Sequence, residues 1–195
     1  NTASEIITVS QNNMRIMREL GIKSKVHVIP NGFVHKMYMP QNVGKLREEL
    51  ALPKDKKIFL TVANLEHVKG YDISLNAISE FVKENKDCYF VWVGGGPLFS
   101  KLKSEIKKRG LSEYILMTNF QRHIQVVKYQ LCADYFLMPS RNEGVPTVLF
   151  ESMACGLPFI STKVGGIPEH ARDFTGILVE KENEKELLEA LKKCV

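Results

Sequence analysis

Several absences narrow what this sequence encodes. It has only four cysteines, Cys88, Cys132, Cys155 and Cys194, with no Cys-x-x-Cys pair and no regular spacing. Three lie inside apolar runs, where a thiol behaves as a small hydrophobe. They read as reduced, intracellular thiols and not as metal ligands. The five histidines never pair at ligand spacing, so no metal site is expected. There is no charged-then-apolar leader and no apolar run long enough to span a bilayer, and nothing in the stretch reads as secreted or membrane-spanning. A Gly-x4-Gly-Lys-Ser/Thr loop is missing, which argues against a P-loop NTPase. "GGGPLF" supplies Gly94 and Gly96, but the third glycine of a dinucleotide fingerprint falls on Phe99. An acidic partner at the expected distance is also missing, which argues against a nicotinamide enzyme. Aromatic residues do not interleave with the basic clusters, so nucleic acid is not an expected partner.

The 195 residues contain 44% hydrophobic and 25% charged residues, with a net charge of +5. That is the composition of a globular chain able to bury a substantial core. The lysines are spread as "KDKK" at 54–57, "KKR" at 107–109 and "KK" at 192–193. They read either as a solvated face or as a mildly basic surface suited to phosphorylated or lipid-linked substrates. The chain starts at Asn1 with "NTASEIITVS" and reads as cut from something longer.

From residue 56 onward, short apolar runs alternate with amphipathic segments. "KIFLTVA", "CYFVWVGGG", "YILMTNF", "DYFLMPS", "PFISTK" and "GILVE" read as strands. "YDISLNAISEFVKEN" places Ile73, Ala77 and Phe81 on one stripe, with Ile78 and Val82 beside it, at helical spacing. Further helices are read at 97–110, in "IQVVKYQLC" and "VPTVLFESMACG", and at "NEKELLEALKKCV" with Asn183 as N-cap. Wholly apolar strands separated by helices imply a doubly wound, Rossmann-like parallel sheet covered on both faces. Residues 1–34 read separately as strand, helix and strand, connecting to a domain over 35–195. The text from Val34 to Pro53 is looser and polar, with Pro40 and Gly44, and a soft boundary falls there.

In such sheets ligands bind beyond the carboxyl ends of the strands, which directs attention to the loops "ANLEHVKG", "GGGP", "NFQRH", "PSRNEGVP" and "TKVGGIPEH". Lys69 and Gly70 precede a helix N-terminus, where a lysine and free amides together attract phosphate. With Pro146 at a first helical turn, Glu143 sits in the loop above the sheet and Glu151 about a turn further in. Gly144 permits close backbone approach, and the amides of Thr147 and Val148 point out of the helix end. Carboxylate, bare donors, then carboxylate suits hydroxyls at both ends of a molecule and phosphate between them, as in a nucleoside diphosphate sugar. The same carboxylates also serve as complements of a helix N-terminus, and on spacing alone that reading is the stronger.

The wording of the segment adds to the spacing. "PSRNEGVPTVLFESMACGLPFISTKVGGIPEH" closely resembles the donor-site segment of retaining family 4 glycosyltransferases of GT-B architecture, with its Glu-x7-Glu block. "VIPNGF", "VANLEHVKGYDISLNAI" and "VWVGGGP" resemble three further blocks in the right order, so the likeness covers residues 6–190. The resemblance implies the second, donor-binding domain of such an enzyme, moving sugar from a nucleoside diphosphate donor to an acceptor with retention. It implies that Glu143 contacts the transferred sugar, Glu151 the ribose hydroxyls, and Lys69 the departing diphosphate. Gly144, Val145, Pro146 and Thr147, with Val148 after them, would present the turn whose amides meet sugar and phosphates. Gly94 and Gly95 would line the donor site or merely form a tight turn, and Phe120 and Arg122 would meet the nucleobase. Direct front-face displacement, with the leaving phosphate deprotonating the acceptor, is the family's implied route.

Where many members carry an arginine in a Gly-Arg-Leu block, this chain has Asn64, so half of a phosphate clamp is missing or comes from elsewhere. No cofactor and no metal is implied beyond the nucleotide-sugar donor, since there is no Asp-x-Asp pair. The acceptor, whether glycan, lipid or small molecule, would be met through an N-terminal domain, and the fragment alone is expected to bind without turnover. A cytoplasmic setting is expected, with peripheral membrane association of the full enzyme left open. The rivals are a nucleotide-sugar epimerase or hydrolase of GT-B shape and a non-catalytic nucleotide-sugar-binding module.

Overall fold

A computed structural model of the chain describes residues 3–32, 34–39, 41–171 and 175–195. Phe33 of the "VIPNGF" turn and Pro40 of the boundary region lie outside the described residues.

The chain begins with β1 (Glu5–Thr8), α1 (Gln11–Glu19) and β2 (Lys25–Val28), and β1 pairs β2 in parallel as a sheet of its own. Ser10 caps α1 by accepting from the Asn13 amide at 3.1 Å, as an N-cap serine should. A short 3-10 turn, His35–Tyr38, leads to α2 (Val43–Glu49). The stretch read as loose therefore contains a helix. Its polar text hid the element because Arg47 is one of its two buried residues. Arg47 donates from Nε and Nη2 to the Cys132 carbonyl, at 3.0 and 2.8 Å, and from Nη2 to Asp134 Oδ2 at 2.9 Å. The buried charge is thus paired and hydrogen-bonded, which is the condition for tolerating it. A pattern search that expects apolar anchors at helical spacing does not see such a residue.

The main body follows as β3 (Lys57–Val62), α3 (Tyr71–Glu84), β4 (Cys88–Val93), α4 (Phe99–Lys108), β5 (Ile115–Met117), α5 (His123–Cys132), β6 (Tyr135–Met138), α6 (Thr147–Ala154), β7 (Phe159–Thr162), β8 (Gly176–Val179) and α7 (Glu184–Lys192). The expected doubly wound parallel sheet is present, with six strands among the described residues in the order β5-β4-β3-β6-β7-β8. Alternate residues of each strand enter opposite cores. Phe59, Phe90 and Trp92 pack with Phe81 of α3, Leu102 of α4 and Leu187 of α7. Leu60, Val91 and Phe136 pack with Leu46 of α2, Tyr129 of α5 and Leu149 of α6. The Phe59 ring stacks between Phe90 and Tyr135, at centroid distances of 5.0 and 5.1 Å. The stripe Ile73, Ala77, Ile78, Phe81 and Val82 is buried throughout. Pro146 is the N-cap of α6 and not its first turn, and α4 starts at Phe99, two residues after Pro97. Among the described residues no helix is long and apolar enough to cross a membrane.

Candidate functional site

The strand order determines where a ligand can sit. From β3 the chain winds outward through β4 to the β5 edge, then returns to β6 on the other side of β3 and winds outward again. The helices that follow β3 and β6 cover opposite faces, α3 on one and α6 on the other. Their loops therefore meet over the carboxyl ends of adjacent strands, at the switch point where such sheets bind ligands in a crevice. Lys69 comes from the first loop and Glu143 from the second.

These two meet. Lys69 Nζ lies 2.7 Å from Glu143 Oε1, and Ser140 Oγ donates to the same oxygen at 2.7 Å. The side chains are 23% and 9% exposed, so solvent screens the pair only partly. Glu143 Oε2 makes no hydrogen bond among the described residues. The amides of Thr147 and Val148, which open α6, are likewise unengaged, and no side chain caps the helix. A lysine, a helix N-terminus and a free carboxylate oxygen thus face one crevice. That set can take an anion on the first two and a hydroxyl on the third.

The loops are held by backbone packing. Gly70 adopts φ +70°, and a Cβ there would fall 2.0 Å from the Pro139 carbonyl oxygen. Gly165 (φ +57°) would place a Cβ 1.9 Å from the Glu143 carbonyl oxygen, and the Gly166 amide donates to Gly144 at 2.7 Å. A Cβ on Gly144 would face open space, meeting only Asn13 of α1 at 4.0 Å. Val145 is buried, and its carbonyl accepts from Asn31 at 3.2 Å.

Glu151 sits about one turn into α6, beside groups that sequence reading did not select. Its Oε1 is 3.3 Å from His123 Nε2, which is 3.1 Å from the Tyr38 hydroxyl. Burial first, and then the charge and hydrogen bond of Glu151, push the Tyr38 hydroxyl well above its ordinary pKa. Tyr38 therefore stays a donor to the carboxylate. The Cys155 thiol, one turn further, is pushed up to about 12 by burial and by Glu151.

The remaining predicted residues are spread along the same sheet edge. Asn64 is exposed in the loop after β3, and its side chain makes no hydrogen bond among the described residues. Gly94 and Gly95 are crowded by protein: a Cβ on Gly94 would strike the Ala63 carbonyl oxygen, and one on Gly95 the Phe120 ring at 2.4 Å. The Phe120 ring is 69% exposed. Arg122 is the exposed N-cap residue of α5, with no side-chain partner among the described residues. Missed by sequence reading were Ser140, Tyr38, His123 and Glu169. Glu169 caps α1 from the loop after β7, accepting from the Gln11 and Asn12 amides at 3.0 and 2.7 Å. Gln11, Asn12, Met14, Arg15, Gly165, Pro168 and Glu169 line an open cavity of about 470 Å3 next to the Glu143 loop. Ser140 had a signal in its third-position spacing before Glu143, and His123 and Glu169 lie in the singled-out loops "NFQRH" and "TKVGGIPEH"; Tyr38, from a distant element, had none. Among the described residues, no cluster of three His, Cys, Asp or Glu side chains is placed to hold a metal ion.

Residues 42–195 match the family described as glycosyl transferases group 1. The chain is 29% identical over 168 residues to N-acetyl-alpha-D-glucosaminyl L-malate synthase of Bacillus anthracis, covering 85% of this chain and 43% of that protein. It is 31% identical over 154 residues to the phosphatidylinositol N-acetylglucosaminyltransferase gpi3 subunit of Schizosaccharomyces pombe, covering 79% and 32%. The chain thus spans less than half the length of these relatives. Among solved structures, Anabaena Alr3699/HepE in complex with UDP superposes with a TM-score of 0.88 at 23% identity, over 98% of this chain and 54% of that one. That likeness speaks for the fold.

Proposed function

The chain belongs to the glycosyl transferases group 1 family, and from that premise we propose that it is the donor-binding half of a retaining glycosyltransferase. The donor is a nucleoside diphosphate sugar. The observation that carries this reading is the meeting of Lys69, Glu143 and the unengaged amides of Thr147 and Val148 at the crevice between β3 and β6. Lys69 and the α6 N-terminus take the diphosphate and stabilise the charge that grows on it as the sugar leaves. Glu143 turns its free oxygen to the sugar. Glu151, held by Tyr38 and His123, receives the ribose hydroxyls, and Phe120 offers an exposed ring to the base. Retention follows from attack on the face the diphosphate leaves, with a phosphate oxygen taking the acceptor proton. A structural neighbour whose complex contains UDP supports a nucleotide as part of the ligand.

The acceptor carries an anionic group. Support comes from the names of two relatives, one containing L-malate and the other phosphatidylinositol. Nucleotide-sugar binding without transfer is a second reading, favoured by Asn64, which is exposed and neutral where a phosphate clamp would be charged.

The test is calorimetric titration of the chain with UDP-, GDP- and ADP-sugars, with Glu151→Ala in parallel. Saturable binding of one donor, weakened about tenfold or more in the variant as a lost charged acceptor predicts, supports the site. A folded chain that binds none of the three removes it.

A further inference from the structure

Arg141 has no part in the reading above, yet its side chain bonds to two other loops and to the first turn of α3. It lies between Ser140 and Glu143 and is 16% exposed. Nη1 and Nη2 form a forked pair with the Asp72 carboxylate, 2.8 Å each, at the start of α3. Nη1 also donates to the His67 carbonyl at 2.6 Å, and Nε to Glu182 Oε1 at 2.9 Å, from the loop between β8 and α7. Its backbone amide donates to the Val68 carbonyl at 2.7 Å. One residue thus grips both carbonyls that precede Lys69 and the first turn of the helix that follows it. Gly70 closes the same contact from below, its backbone seated on the Pro139 carbonyl.

A lysine is a point charge on a flexible stem. Where its ammonium can reach depends on how firmly its Cα is held. A planar, always charged guanidinium with five donors is the group suited to tie several carbonyl and carboxylate acceptors at once. The pair with Asp72 is strong enough to hold that carboxyl below the usual carboxylate range.

We propose that Arg141 is a positioning residue: it fastens the turn His67–Gly70 to the loop before α6, and so sets Lys69 against Glu143 at the place a diphosphate occupies. The proposal rests on the donor-site reading above. Holding the turn in advance reduces what must be ordered when the ligand binds. Arg141 itself touches no ligand.

The test is a double-mutant cycle. The nucleoside diphosphate that binds most tightly among UDP, GDP and ADP is titrated into the wild-type chain, Arg141→Met, Lys69→Met and the double variant, with the matching nucleoside as control. Arg141→Met is expected to weaken the diphosphate about tenfold when Lys69 is present, and less than about twofold when it is not. The nucleoside is expected to bind unchanged. Equal losses in both backgrounds, or a matching loss for the nucleoside, would reduce Arg141 to plain scaffolding and overturn the proposal. A second arm needs no ligand: the acetylation rate of Lys69 with trace acetic anhydride, followed by mass spectrometry. Release of the turn in Arg141→Met should raise it several-fold above the other lysines, and an unchanged rate overturns the proposal. If the wild-type chain binds no nucleotide, the donor-site reading fails, and the acetylation arm still decides the role of Arg141. Should Arg141→Met not fold, Arg141→Lys keeps the charge without the fork and takes its place in both arms.

Discussion

Gly165 shows how little freedom single positions at the crevice have. Its left-handed backbone and the Glu143 carbonyl 1.9 Å from any added Cβ leave no room for a side chain. Gly165→Ala is expected to cost about 1–3 kcal/mol, the range for a residue forced into strained backbone, read as a lower urea midpoint. Because the displaced neighbour is Glu143, nucleotide binding should weaken in the same variant. The thiols behave differently. Burial raises Cys88, Cys132 and Cys194 to about 11 and Cys155 to about 12. A raised thiol pKa means less thiolate, the reactive form. At pH 8 iodoacetamide should therefore label all four slowly in the native chain and rapidly in urea. Labelling should speed up only as the pH rises toward those values. Fast native labelling of Cys155 at pH 8 would contradict its burial beside Glu151.

At the scale of elements, α2 is held by one polar anchor as much as by its apolar side. The side chains of Arg47 and Asp134 are 11% and 30% exposed, and Asp134 Oδ2 also accepts from the Ile58 amide at 2.8 Å. Removing the guanidinium leaves Asp134, part-buried, with the Ile58 amide, and strips the Cys132 carbonyl of two donors, a loss of about 2 kcal/mol. Arg47→Met should show this in chemical denaturation, with faster amide exchange confined at first to Val43–Glu49. A loss under about 1 kcal/mol would mean that Leu46 alone holds the helix. The elements themselves were legible from sequence where a period was strong. The apolar strands and the α3 stripe read directly, because side-chain alternation and helical spacing follow from backbone geometry. Helix α2 did not, because its key contact is a guanidinium reaching backbone carbonyls far along the chain. Element ends drifted by about two residues at α4, where Pro97 and Leu98 form a turn before the helix begins.

For the whole molecule, donor binding at the crevice would couple to folding by mass action. At a nucleotide concentration of one hundred times Kd, the gain is about 2.7 kcal/mol. For a chain of this size that raises Tm by roughly 5–10 °C. A thermal scan with and without the tightest-binding nucleotide measures it, and Glu151→Ala should remove most of the shift. A nucleotide that raises Tm equally in wild type and variant would be bound elsewhere.

The sequence by itself determined the parallel sheet, the loops that carry chemistry and the Glu-x7-Glu segment, since periodicity, turn residues and motif wording are local properties. Spacing alone favoured carboxylates that serve a helix end, and the motif wording tipped the reading to a ligand. Only the tertiary structure decided that Lys69 meets Glu143, that Tyr38 and His123 grip Glu151, and that Glu169 caps α1. Those contacts depend on β6 returning to lie beside β3. Strand order is set by how two cores fill on opposite faces of the sheet, a sum over the whole chain that no single segment records.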